Sequence, residues 1–331
     1  MLALSRSDIR RAVPMRDAVE LMKTAFVELS AGRAASPLRS VVELGSDRSL
    51  MLTMPGFVGA AGAASVKIVS YFADNPARRG LPTIHALVYV IDDVTGVPLG
   101  ILEGGYVTAL RTGAVSGAAT DLLARPESSV LAVIGTGVQG VTQAAAVCAV
   151  RPIERIVAVD VSEANLERFR AALAADWPGV TATVETTTDA GVAVRQADVV
   201  CCATTSRKPV FDDADVRPGT HVNAVGAFTP EMQEVPPATV ARAYVVVDEV
   251  MAALAEAGDL IRPMNDGLID REHFSAELGQ VAAGEKPGRT DAARITFFKS
   301  VGNAVQDAVV GRFAIDAASR DGLGTKLDLF A

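Results

Sequence analysis

The sequence predicts an α/β fold in which a doubly wound parallel sheet is joined to a discontinuous α+β domain built from both ends of the chain. Three observations carry this reading. Residues 130–140, VLAVIGTGVQG, run a short branched apolar stretch straight into Gly135-x-Gly137-x-x-Gly140, and an amphipathic segment follows over 141–150. From residue 130 onward, strand-like runs at 130–134, 155–160, 180–185, 198–202, 221–225 and 244–247 alternate with helical segments, as right-handed crossovers in a parallel sheet require. Before residue 104 the rhythm differs: extended runs at 39–44, 49–54 and 65–72 lead to a hairpin, 85–91 and 97–103, around the turn-rich Asp92-Asp93-Val94-Thr95-Gly96. That is antiparallel material.

Taken in order, the first element is a helix over 14–31. Pro14 opens it, and Ala18, Leu21, Met22, Ala25, Phe26 and Leu29 recur at helical spacing. After the extended runs and the hairpin, a helix over about 107–123 carries the chain to Pro126. The alternating region then reads as a Rossmann-type domain. A helix near 292–310 is the expected route back to the first domain. The domains expected are therefore 1–118 together with 306–331, and 119–305. The chain shows no internal repeat and no low-complexity linker.

Composition narrows the function classes. The 331 residues suffice for about two domains. The net charge of −8 and the lack of a basic block argue against nucleic acid as a partner. No apolar run approaches the roughly 20 residues of a membrane span, and the N-terminus, MLALSRSDIRRAV, lacks the apolar core of a signal peptide. A cytoplasmic protein is expected. The three cysteines, Cys148, Cys201 and Cys202, lie in apolar segments and read as reduced, buried thiols. The three histidines, His85, His221 and His273, are widely spaced, and no metal site is expected.

The glycine motif carries chemistry through its context. Gly135 permits the turn, Gly137 leaves room for a pyrophosphate, and Gly140 lets helix and strand approach. Val138 and Gln139 open the helix whose N–H groups would face the phosphates. Asp160, about 20 residues beyond Gly140, ends the next apolar run and is placed to accept from a ribose diol. An acid there favours NAD(H) over NADP(H), because it repels a 2′-phosphate. Ala203, Thr204 and Thr205 follow the run Val199-Val-Cys-Cys, at the carboxyl end of a strand, where ligands of doubly wound sheets bind.

Together, PLRSVVEL (37–44), SVKIVSYF (65–72), LPTIHALVYVIDDVTGVPLGILEG (81–104), VTALRTGAVSGAAT (107–120), VIGTGVQG (133–140), HVNAVGAFTPEMQEV (221–235) and FFKSVGNAVQDA (297–308) make the chain resemble the ornithine cyclodeaminase/μ-crystallin family over nearly its whole length. The resemblance implies a nicotinamide cofactor, a small imino or amino acid substrate, and a homodimer formed through the first domain, which also binds substrate. It implies a basic trio, Arg39, Lys67 and Arg111, around the substrate carboxylate, with Lys67 also polarising the reacting group. A guanidinium grips a planar carboxylate in bidentate fashion, and unpaired charges in such apolar surroundings are costly. The structural alternative is pairing with a carboxylate such as Glu43 or Glu103. By the same resemblance Thr112 reaches the cofactor diphosphate, while Val225, Gly226, Ser300, Val301 and Gly302 lie on the nicotinamide side. His85 matches a family histidine, though a histidine satisfied within the hairpin is the simpler reading. Met51 and Met54 are candidates for apolar wall, and Glu234 matches a family glutamate of underived role.

One departure matters. Cyclodeaminases and the related alanine dehydrogenase carry an aspartate two residues after the glycine matched by Gly226, and here that residue is Phe228. Phenylalanine accepts no proton. Cyclodeamination must activate an amine and expel ammonia. Reduction of a cyclic ketimine starts from a carbon that is already electrophilic. The reading is therefore NAD(P)H-dependent reduction of Δ1-pyrroline-2-carboxylate or Δ1-piperideine-2-carboxylate to proline or pipecolate, with Phe228 beside the ring. The alternatives are an ornithine cyclodeaminase, an amino-acid dehydrogenase or N-alkyl amino acid synthase, and a non-catalytic ligand-binding protein. Glu231 and Asp74 are the candidates for a replacement carboxylate.

Overall fold

A computed structural model describes residues 1–45 and 49–329. The chain forms two compact units, Met1–Arg111 with Asn303–Ala331, and Thr112–Gly302. The first division falls inside the helix Gly104–Leu123, between Arg111 and Thr112. That helix is buried over most of its length, so its composition carries no mark of the division. It begins at Gly104, earlier than expected, because the Glu103 carboxylate accepts the Gly105 and Tyr106 N–H groups and so caps its first turn.

The first unit is an eight-stranded sheet. Along it run Thr325–Lys326, Leu2–Leu4, Pro98–Glu103, Ile84–Ile91, Ala63–Phe72, Ser49–Val58 and Ala34–Ala35, with Ser40–Leu44 also paired to Ser49–Val58. Apart from the parallel pairing of Leu2–Leu4 with Pro98–Glu103, its ladders are antiparallel. Strand alternation decides what each face presents. In Ala63–Phe72, Ala63, Ser65, Lys67 and Val69 are buried, and Met54 and Val88 pair with Lys67 on that same face. Helices Met15–Ser30 and Ala304–Asp321 lie against this unit's strands. The opposite face exposes Val42, Met51, Phe57, Ile68 and Leu87.

The second unit is an eight-stranded, all-parallel sheet in the order Thr183–Thr187, Arg155–Val159, Val130–Ile134, Val199–Cys202, His221–Ala224, Thr296–Lys299, Tyr244–Val247, Phe274–Glu277. Apolar clusters cover both faces, which explains the nearly continuous apolar strands. The doubly wound fold class read from the sequence is borne out. Three readings need correction. The edge strand expected at 180–185 is Thr183–Thr187, and a strand at Phe274–Glu277 was missed. The expected helix near 292–310 is two elements, the buried strand Thr296–Lys299 and the helix Ala304–Asp321. Gly302, at φ +85°, turns the chain between them, and Asn303 with Gln306 forms a capping box that starts the helix. No helix among the described residues is long and apolar enough to cross a membrane.

Candidate active site

In the second unit the glycine motif closes a tight turn at the carboxyl end of the strand Val130–Ile134. Gly135 takes φ +91°, and a Cβ there would sit 2.6 Å from the Ala203 carbonyl oxygen. Gly140 lies so close to the Gly135 carbonyl that a side chain would collide with it, and Val133 is tight beside it. Gly137 is the N-cap of the helix Val138–Val150, and a Cβ there would meet open space. Val138 is exposed and Gln139 half-buried. A free volume at a helix N-terminus, at the point where the strand order reverses, fits a pyrophosphate.

Asp160 closes onto this turn. Its carboxylate accepts Thr136 N at 3.0 Å, Thr136 Oγ1 at 2.8 Å, Ser162 N at 3.0 Å and Asn165 Nδ2 at 2.9 Å. Burial works against its ionisation, but these four donors outweigh it and hold its pKa below the ordinary value. Its four acceptor positions are thus engaged by the chain itself. The sequence reading assigned Asp160 to a ribose diol and missed this loop-fixing role. Asn165 also accepts from Arg168.

The remaining cofactor-side candidates sit at neighbouring strand ends. Ala203 N donates to Ile134 O at 2.8 Å, and Val225 N donates to Cys202 O at 3.0 Å. Glu234 accepts Thr204 N at 2.5 Å, Gly226 N at 2.7 Å and Ala227 N at 3.0 Å. Thr205 is exposed and Phe228 is 43% exposed. Asp248 accepts Ser300 Oγ at 2.7 Å, Val301 N at 2.9 Å and Gly302 N at 3.1 Å. Thr112 is buried, and its carbonyl accepts Gln143 Nε2 at 3.0 Å. Asp248 follows the apolar strand Tyr244–Val247 just as Asp160 follows Arg155–Val159, so its position is readable from sequence, whereas its partners are not.

In the first unit, Lys67 and Arg111 converge on a carboxylate the sequence reading missed. Lys67 Nζ lies 2.7 Å from Asp307 Oδ2, and Arg111 Nε lies 3.5 Å from Asp307 Oδ1. Arg111 Nη1 donates to Gln306 Oε1 at 2.8 Å. Lys67 is 1% exposed and Asp307 fully buried. Burial drives the Lys67 pKa down to about 8; Asp307 opposes this, while the positive charges of Arg111 and Arg39 add to it. Arg39 therefore belongs to the same electrostatic cluster. Lys67 and Arg111 close on one buried carboxylate, and an ammonium and a guanidinium so placed also suit the carboxylate of a ligand. Glu43 and Glu103 are not the carboxylates met by Lys67 and Arg111: Glu43 is exposed, and Glu103 caps a helix.

Of the other candidates, Met54 sits across the ladder from Lys67, and the rest lie outside these clusters. His85 is exposed on the strand Ile84–Ile91. Met51 is exposed, whereas Met54 is buried. Glu231 is exposed and Asp74 pairs with Arg78 at 3.2 Å. His221 is buried between Thr296 and Asn223, and burial lowers its pKa to about 3, which keeps it neutral. Among the described residues, no group of three or more His, Cys, Asp or Glu side chains is placed to hold a metal ion.

Residues 1–322 match the ornithine cyclodeaminase/mu-crystallin family, and the chain belongs to that family. It is 39% identical over 329 residues to the Δ1-pyrroline-2-carboxylate reductase of Bacillus cereus, a match covering 99% of this chain and all of that protein. The structure of Thermococcus litoralis Δ1-pyrroline-2-carboxylate reductase in complex with NADH and L-proline is similar at a TM-score of 0.93 and 39% identity, over 99% of this chain and 100% of that one. An archaeal alanine dehydrogenase dimer with bound NAD is similar at a TM-score of 0.90 and 32% identity, over 100% of this chain and 99% of that one.

Proposed function

We propose that this chain reduces a cyclic ketimine carboxylate, Δ1-pyrroline-2-carboxylate or Δ1-piperideine-2-carboxylate, to proline or pipecolate with a reduced nicotinamide cofactor. The observation that carries this reading is the buried Lys67–Arg111–Asp307 cluster in a chain that has Phe228 where a cyclodeaminase needs an aspartate. A Bacillus cereus reductase alike over its full length supports it.

The first unit is the substrate-binding unit. Lys67 and Arg111, with Arg39, hold the carboxylate, and Lys67 polarises the reacting group. Phe228 offers an apolar side to the ring. The second unit is the dinucleotide-binding unit. Gly135, Gly137, Val138, Gln139 and Gly140 receive the pyrophosphate, with Thr112 contributing, while Ala203, Thr204, Thr205, Val225, Gly226, Ser300 and Gly302 line the nicotinamide side. A reduced nicotinamide bound there would supply a hydride to the imine carbon. The nitrogen, already protonated, takes up the electron pair of the C=N π bond, and a secondary amine results. Such a reaction asks for orientation and charge complementarity more than for a fixed base. Asp160, held ionised, disfavours a 2′-phosphate, so NADH is the preferred cofactor. Two copies associate through the exposed apolar face of the first sheet, as an alanine dehydrogenase relative is a dimer. Free Cys148, Cys201 and Cys202 suit a reducing cytoplasm.

The test is oxidation of NADH or NADPH, followed by absorbance, with each of the two cyclic ketimines. Rapid oxidation with NADH preferred is expected. Oxidation with neither ketimine, together with ammonia release from L-ornithine, would replace the reductase by a cyclodeaminase. Faster turnover with NADPH would overturn the role given to Asp160.

A further inference from the structure

Four adjacent strands of the second sheet, Val199–Cys202, His221–Ala224, Thr296–Lys299 and Tyr244–Val247, end in loops tied together by three buried carboxylates and one buried lysine. Glu234 bridges two of these loops through Thr204 N, Gly226 N and Ala227 N. Its own main chain is held in turn, since Glu234 N and Val235 N donate to Asp259 Oδ1 at 2.7 and 3.0 Å. Asp259 Oδ2 accepts Lys299 Nζ, from the end of the third strand, at 2.9 Å. Asp248, at the end of the fourth, accepts from Ser300, Val301 and Gly302. At Gly226 a Cβ would collide with the Thr204 carbonyl and Glu234 Oε1, so the carboxylate fills the space a side chain would need.

Three carboxylates and a single cation, all fully buried, are a poor choice for stability alone. Apolar residues of similar volume are often as stable as or more stable than buried ion pairs. Backbone N–H groups drawn onto a fixed oxygen leave a loop with one geometry.

We propose that Glu234 and Asp248 are positioning residues that fix loops 203–206, 225–227 and 300–302 in the geometry that receives the nicotinamide. This rests on the cofactor assignment above. Burial, and secondarily the charge of Asp259, raises the Glu234 pKa to about 6, against the pull of Lys299 and the N–H donors. Three titratable groups face Glu234: Asp259 on the helix Gly258–Asn265, Lys299, and Cys202, whose thiol burial chiefly and the Glu234 charge secondarily push upward. Protonation removes part of its capacity to accept N–H groups, so cofactor affinity falls as pH drops through about 6.

The experiment measures NADH affinity by nicotinamide fluorescence against pH for the full-length wild type, Glu234→Gln and Asp248→Asn, with thermal midpoints and the imine KM at saturating NADH. A lost hydrogen bond to a charged group predicts NADH affinity weakened about tenfold or more in each variant, and an imine KM within about twofold of wild type. In Glu234→Gln the acidic limb should vanish. Wild-type affinity independent of pH, with either variant binding NADH normally, overturns the proposal. So does an equal loss of cofactor and imine affinity accompanied by a lower thermal midpoint. Should Glu234→Gln fail to fold, the wild-type pH profile and Asp248→Asn decide. A wild type that binds neither NADH nor NADPH overturns the cofactor assignment itself.

Discussion

Burial works against the charge of Lys67, and Asp307 offsets part of that cost. A lysine this deeply buried loses hydration, and Asp307 at 2.7 Å returns part of the loss. Below about pH 8 Lys67 carries its proton and attracts a carboxylate; as pH rises through that value the attraction fades. Affinity for L-proline, the product under the proposed reaction, should therefore weaken above about pH 8. Asp307→Asn removes the opposing charge while keeping the shape, so this limb should move to lower pH. An unchanged limb would remove Asp307 from the cluster. Lys67→Ala should lower kcat/KM on the order of 10²-fold, mostly through KM. Near-normal kinetics would end its assignment. Lys67 and Arg111 are picked out by the family resemblance of SVKIVSYF and VTALRTGAVSGAAT, and their apolar surroundings agree with it. Asp307 is not, because it stands 240 residues from Lys67 and nothing local links them.

Elements were most legible where periodicity is long. Met15–Ser30 follows its helical spacing, and Ala63–Phe72 follows the alternation that turns Lys67 inward. Thr296–Lys299 was lost because four buried residues, Thr-Phe-Phe-Lys, are too few to carry a period that separates strand from helix. The glycine turn was legible because its chemistry is local. Gly135→Ala would place a Cβ against the Ala203 carbonyl at a backbone angle side chains rarely adopt. Strain of about 1–3 kcal/mol is the scale expected, enough to weaken NADH binding on the order of tenfold while L-proline affinity is spared. Equal NADH affinity in the variant, measured by calorimetry, would mean the turn tolerates a side chain and the reading of the motif is wrong.

At the scale of the whole molecule, each unit owns one sheet, and each sheet makes a different demand. The second is covered on both faces. The first is left with Val42, Met51, Phe57, Ile68 and Leu87 in the open. An exposed apolar patch of this kind supports the association surface proposed above. Ile68→Lys should convert a dimer to a monomer in sedimentation, because a charge buried at the centre of an interface is not repaid. A variant that still sediments as a dimer would place the interface elsewhere. Sequence alone was enough for the doubly wound unit and its glycine turn, since each depends on neighbours within a few residues or on a fixed period, whereas the basic residues were named by the family resemblance. Folding alone selected Asp307 as the counter-charge of Lys67 and Arg111, engaged Asp160 with four donors of its own chain, and tied Glu234, Asp259, Lys299 and Asp248 across four strand ends. Apart from Ser162 and Asn165, which lie 2 and 5 residues from Asp160, most of those partners are distant in the chain, and the cost of burying a charge without one is met only once the tertiary fold brings them together.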